Sequence, residues 1–233
     1  MLVRVTPVLA TLLFLSACVS NTDEAGNPAI VTKQADASPT RTALAMTPGS
    51  VNTEDDSTFW SAVEAARARA GGDPEAMAEV LEVEFAKADD ETLRTFQREL
   101  VDASRRLYTW RHWDAAEMIC GYASDDVFTD WRSWVITLGR KTFARVIENP
   151  DNLADVADLS EACEGGAEIF GAAISGIYFE RHGYTDETFP ILEPFESPKG
   201  ERVTDHEAIR RSMPRLNTRL REDGLGRPPR TSG

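Results

Sequence analysis

The sequence predicts an all-α fold, a compact bundle of about six helices between a disordered N-terminal tether and an irregular C-terminal tail. Three observations carry this. Apolar residues recur at helical spacing from residue 57 to residue 182. Ser, Asp and Pro stand where helices would begin. No stretch alternates apolar and polar residues for long enough to make a useful strand.

The elements follow in order. Phe59, Trp60, Val63 and Ala66 form the first stripe, which Gly71-Gly72 stops. Asp73-Pro74 restarts the chain with an N-cap and a proline at the first helical position, and Met77, Val80, Leu81 and Phe85 continue that helix. Leu93, Phe96, Leu100, Val101, Leu107 and Tyr108 share the face of a third helix. The fourth runs from Trp110 to Ile119, with Trp110 and Trp113 on one side. Asp125 and Asp126 open a fifth, which carries Phe128, Trp131, Val135 and Leu138. Gly139 interrupts it, and Phe143, Val146 and Ile147 resume the stripe up to Asn149-Pro150. Residues 151–158 read as a loop or a single turn. A last long helix spans Ser160 to His182, with Phe170, Ile174, Ile177 and Tyr178 inward and Gly165, Gly166 and Gly171 permitting close helix packing.

The ends differ from the middle. Met1 to Ala17 combine Arg4 with a short apolar run, Val8 to Leu15, too brief to span a bilayer and patterned as an export signal. Leu15-Ser16-Ala17-Cys18 resembles the bacterial lipobox, which implies a diacylated Cys18, cleavage before it and acylation, palmitate among the acyl groups, of the new amine. Val19 after the cysteine implies sorting to an outer membrane where the cell has one, and otherwise to the outer face of the cell membrane. Residues 18–56 then read as a tether whose contour reaches ~130 Å. The folded domain is expected over 57–190 and a basic, Pro/Gly-punctuated tail over 191–233.

The chain carries 25 Lys+Arg against 39 Asp+Glu, a formal charge of −14. That balance disfavours nonspecific nucleic-acid binding. Cys120 and Cys163 are the two cysteines besides Cys18. In an exported protein they suit a disulfide, and the alternative is two small buried thiols that never meet. No CxxC, no paired-histidine zinc motif, no Gly-rich phosphate loop and no GxSxG occurs. His112, His182 and His206 show no ligand spacing, so no metal or cofactor is expected.

One segment stands out: Ser124-Asp125-Asp126-Val127-Phe128-Thr129-Asp130-Trp131-Arg132-Ser133-Trp134-Val135-Ile136, followed by Gly139-Arg140. With Phe59-Trp60 upstream and Asn149-Pro150-Asp151 downstream, it resembles the DUF4240 family of helical bacterial domains. The resemblance covers about residues 57–184 and implies a helical fold without an established reaction. Many members have a cysteine directly before the Ser-Asp-Asp run. Ala123 holds that place here, which weighs against a thiol-based activity.

Asp125, Asp126 and Asp130, with Arg132 and Arg140, form a candidate ligand site: carboxylates for a cation or for acid–base work, and arginines for an anionic group. The same residues also suit a capped helix start, with Asp130 paired to Arg132 or Arg140. Trp134 lies off the main stripe and is the aromatic most suited to a pocket. Three functions compete. The first is a lipid-anchored, non-catalytic binding or interaction module. The second is an enzyme or metal-binding protein that uses the acidic cluster. The third is an envelope structural or assembly factor acting through its acidic body and basic tail.

Overall fold

A computed structural model describes residues 57–192 and 197–225. The expected signal, Cys18 and the tether lie outside the described residues. Among the described residues nine α-helices follow one another: α1 (Thr58–Ala70), α2 (Pro74–Phe85), α3 (Asp90–Leu107), α4 (Trp110–Cys120), α5 (Asp125–Thr137), α6 (Arg140–Glu148), α7 (Gly166–His182), α8 (His206–Ser212) and α9 (Pro214–Glu222). Two 3₁₀ turns, Pro150–Asp155 and Ser160–Cys163, join α6 to α7. Among the described residues the nearest thing to a sheet is one isolated bridge between Thr109 and Lys199. The all-α expectation holds.

Local capping explains most of the starts. Ser57, Asp73, Asp89, Thr109 and Ser124 each accept a backbone N–H from the first turn of the helix that follows. Helix α6 has no such residue, because Gly139 precedes it at φ +87°. A carboxylate from another helix fills the gap: the Arg140 N–H donates to Glu64 Oε1 of α1 at 2.8 Å. A Cβ on Gly139 would lie 2.7 Å from that oxygen, so the glycine serves both the backbone turn and the cap.

Helix α5 occupies the centre. Every residue from Trp131 to Thr137 is buried, with α3, α6 and α7 packed around it. Two glycines let α7 approach closely. Gly166 lies against Pro74 and Glu75 of α2, and Gly171 against Ser133 of α5 and Leu192. The structure joins Cys120, at the end of α4, to Cys163 by a disulfide that spans 43 positions. This link and Gly165-Gly166 break the single helix expected over 160–182 into a 3₁₀ turn and α7. The turn holds Cys163 at its partner before the α-helix starts.

The tail departs from the irregular segment expected. Trp110 N–H donates to the Lys199 carbonyl at 2.9 Å, Lys199 N–H donates to the Tyr108 carbonyl at 3.1 Å, and the Arg202 guanidinium lies over the Trp110 ring. Helices α8 and α9 follow and bury Ile209, Met213, Leu216 and Leu220. Helix α9 is capped from outside: the buried Asp151 carboxylate accepts the Leu216 N–H at 2.8 Å. Arg215 and Arg145 converge on Asp155. The four apolar residues are spaced by three and four across the Met213-Pro214 break, so the stripe is too short to stand out until Pro150–Asp155 supplies its partner surface.

Candidate functional site

The acidic start of α5 divides into parts with different fates. Ser124 is the N-cap, and its Oγ accepts the Val127 N–H at 3.3 Å. Asp125 and Asp126 are exposed in the first turn, where carboxylates suit the positive helix end. Arg140 stands at the far end of α5, after about 20 Å of helix, so it and Asp125 do not converge. Trp134 is 2% exposed and packs beside Trp131 in the core. It is a core residue although it lies off the main stripe, because neighbouring helices cover its face of α5 as well.

Arg132 is buried at 2% exposure, and among the described residues no carboxylate lies within ion-pair distance of it. Its Nη1 donates to Ser104 Oγ at 2.8 Å, its Nη2 to Thr129 Oγ1 at 2.9 Å and its Nε to the Phe128 carbonyl at 3.3 Å. The guanidinium also lies over the Tyr108 and Phe128 rings. Burial pushes its pKa down to about 10, against the opposing pull of Tyr108, Asp125 and Asp130. All of its contacts are internal, so Arg132 ties α3 to α5 rather than clamping an anion.

Asp130 is the acidic residue of the motif that reaches a recess. It is half-buried, and among the described residues nothing hydrogen-bonds or ion-pairs with its carboxylate. The recess, about 190 Å³, lies between α3, α5, α7 and residues 191–192. Gln97, Thr129, Asp130, Ser133, Glu168 and Ser175 supply its polar wall, and Gly171, Ala172, Ile191 and Leu192 its apolar one. Burial raises the Asp130 pKa to about 6; Glu168 and Asp126 add to the rise and Arg132 opposes it. Gln97 is 1% exposed, and its Oε1 has no hydrogen-bond partner. An orphaned buried carbonyl costs roughly 1–3 kcal/mol, and this one lies sealed behind the wall, out of reach from the recess.

A broader depression of about 700 Å³ shares Glu168 and adds Asp73, Glu75, Glu161 and Glu164. Its lining residues are exposed or half-exposed, and none is a buried polar group left unsatisfied. Among the described residues no group of three or more His, Cys, Asp or Glu side chains is arranged to hold a metal ion. His112 is a satisfied core residue: Nε2 donates to the Val146 carbonyl at 3.0 Å and Nδ1 meets Thr109 Oγ1 at 2.7 Å.

Of the six residues expected at the site, the recess thus takes Asp130 alone, and it adds Gln97, Thr129, Ser133, Glu168 and Ser175. Gln97 carried a readable signal, since a polar residue interrupts the apolar stripe between Leu93 and Leu100. Glu168 carried none, because only the packing of α7 on α5 brings it near Asp130.

The family model that matches the chain is described as a protein of unknown function, DUF4240, and it covers residues 55–181, more than half of the sequence. The chain belongs to the DUF4240 family. Its α1–α7 are the DUF4240 part, and α8–α9 lie beyond the matched residues. No curated protein and no solved structure matches this DUF4240 chain.

Proposed function

We propose that this DUF4240 protein is a lipid-anchored cell-envelope binding module, without catalysis of its own, that takes a small ligand in the recess between α3, α5 and α7. The observation that carries the reading is the Asp130 carboxylate, half-buried on the recess wall and without a partner among the described residues. Beside it stands Glu168, a second carboxylate that no described group bonds. A ligand in the recess would supply the missing partner. The anchor rests on the lipobox ending at Cys18.

The test is a thermal-shift screen of small cations, amines, sugars and carboxylates on wild type and on Ala172→Trp. Ala172 is exposed on α7 at the recess, so the indole fills it without repacking the core. Hits that vanish in Ala172→Trp support the reading, and hits that persist there sink it. Cys18→Ser should release the protein from the membrane fraction, and its retention there would count against the anchor.

The second reading, an enzyme, draws on one observation. A carboxyl group titrating at about 6 beside a second carboxylate is poised for proton transfer near neutral pH. Chemical conversion of a ligand found in the screen, lost in Asp130→Asn, would favour it.

A further inference from the structure

We infer that the C-terminal arm, residues 199–222, is a pH-sensitive latch over Asp114 of α4: it docks firmly while that carboxyl is protonated and loosens as the carboxyl ionises. The arm consists of a strap, residues 199–205, and the helices α8 and α9. The inference is independent of the recess.

Asp114 is 6% exposed, yet among the described residues its carboxylate has neither a hydrogen bond nor an ion pair. The strap is fastened at the start of the same helix. Lys199 exchanges backbone hydrogen bonds with Tyr108 and Trp110, and the Arg202 guanidinium lies 4.7 Å from the centre of the Trp110 ring. Asp114 follows Trp110 by four residues, on the same face one turn along. Arg202 of the strap and His206 of α8 both act on its charge. The other buried acid under the arm is arranged differently, since Asp151 accepts the Leu216 N–H.

An ionised carboxylate in such a place is penalised, because it has lost water and gained no donor. The charged groups that face it are Glu117 on α4 itself, Arg202 on the strap and His206 on α8. The other arginines that pair within the arm or with its base are committed elsewhere: Arg210 to Glu207, Arg211 to Asp205, Arg215 to Asp155 and Arg219 to Asp223. Burial, with Glu117 adding to it, outweighs the opposing Arg202 and His206, and the Asp114 carboxyl rises from 3.8 to about 6.

The docked arm therefore holds a proton more tightly than the open arm, in which Asp114 meets water at its ordinary value. Docking is strongest in acid and weakens as pH rises through about 6. Between pH 5 and pH 7.5 the docking equilibrium falls by up to about tenfold. The contact at the base of α9 does not follow it: Asp155, held by Arg145 and Arg215, stays below the usual carboxylate range and is ionised at both values. Opening uncovers Ile209, Met213, Leu216 and Leu220 together with the surface of Pro150–Asp155, so the open form presents a short, basic, amphipathic helix that the closed form hides.

Hydrogen exchange of the full chain at pH 5 and pH 7.5 tests the latch, with each amide rate divided by its intrinsic rate at that pH. Protection over residues 206–222 should fall about tenfold from pH 5 to pH 7.5 in wild type, with α5 better protected than the arm at both values because the bundle stays closed while the arm opens. Asp114→Asn should hold the arm near its pH 5 protection at both values, and His206→Gln should retain the fall. Less than a twofold fall in wild type, arm protection equal to that of α5, an undiminished fall in Asp114→Asn, or loss of the fall in His206→Gln overturns the latch. Should Asp114→Asn not fold, Arg202→Gln takes its place: losing the opposing cation should deepen the fall between the two pH values, and an unchanged or shallower fall overturns the latch.

Discussion

Replacing Asp130 with Asn removes a charge that the fold holds at a cost, and the cost can be sized. The carboxyl titrates at about 6 in the native protein, against 3.8 ordinarily. Each pKa unit is worth 1.36 kcal/mol, so the ionised side chain disfavours folding by up to ~3 kcal/mol. The recess is open to water, and halving the figure for screening leaves ~1.5 kcal/mol. By pH ~4 the group is protonated in the native state and roughly half protonated in the unfolded chain, so most of the penalty has gone. As pH rises through about 6 the native protein must surrender a proton it holds more tightly than the unfolded chain does, and stability falls. Asp130→Asn should therefore melt higher than wild type at pH 7.5, by about 3–6 °C for a domain of this size, and the two should converge at pH 4. Asp114, raised to about 6 chiefly by burial, contributes a slope of the same sign, so the variant keeps part of the pH dependence and Asp114→Asn/Asp130→Asn flattens it. Urea melts across pH 4–8 measure the difference directly. A variant less stable than wild type at pH 7.5, or a difference that does not shrink toward pH 4, would refute the reasoning.

Four further outcomes follow from the geometry. Reduction of the Cys120–Cys163 bridge reopens a loop spanning 43 positions and should cost ~4 kcal/mol in the chain-entropy treatment, read as a lower urea midpoint in dithiothreitol that Cys120→Ser reproduces. Arg132→Lys keeps the charge but loses the fork that reaches Ser104, Thr129 and Phe128, and should destabilise by about 2–4 kcal/mol; a change under ~0.5 kcal/mol would show that the contacts are dispensable. Gly139→Ala should cost about 1–3 kcal/mol, because its Cβ meets Glu64 Oε1 in a left-handed turn, and calorimetry would register it. Asp151→Ala removes the outside cap of α9 and should speed tryptic cleavage at Arg211 and Arg215 while lowering the main melting transition by only a few degrees; unchanged cleavage would mean that the apolar residues alone hold the arm.

What the sequence reveals here follows from range. Helices α1 to α5 announce themselves because the cap, stripe and stop of each lie within one stretch of chain, as at Asp73-Pro74 or Ser124. Helices α6 and α9 take their caps from Glu64 and Asp151, residues 76 and 65 positions away, so their local sequence lacks the usual start. The candidate site behaves the same way. Asp130 is visible in its motif, and Gln97 is visible as a polar intruder on an apolar face. That the two meet Glu168 depends on α7 lying against α5, which Gly171 permits and no local pattern states. Trp134 misleads for a related reason, since helical spacing shows which residues share a face but not how many faces the neighbours cover.

The enclosure of α5 separates what this helix can afford to change from what it cannot. From Trp131 onward each side chain is a neighbour to several others, and a new residue there requires compensating changes on surrounding helices. Its first turns meet water and the recess, where Asp126 or Asp130 can be exchanged without disturbing a packed interior. The chemistry of the recess and the fold are thus written on the same helix barely a turn apart, and the first can drift while the second stays fixed.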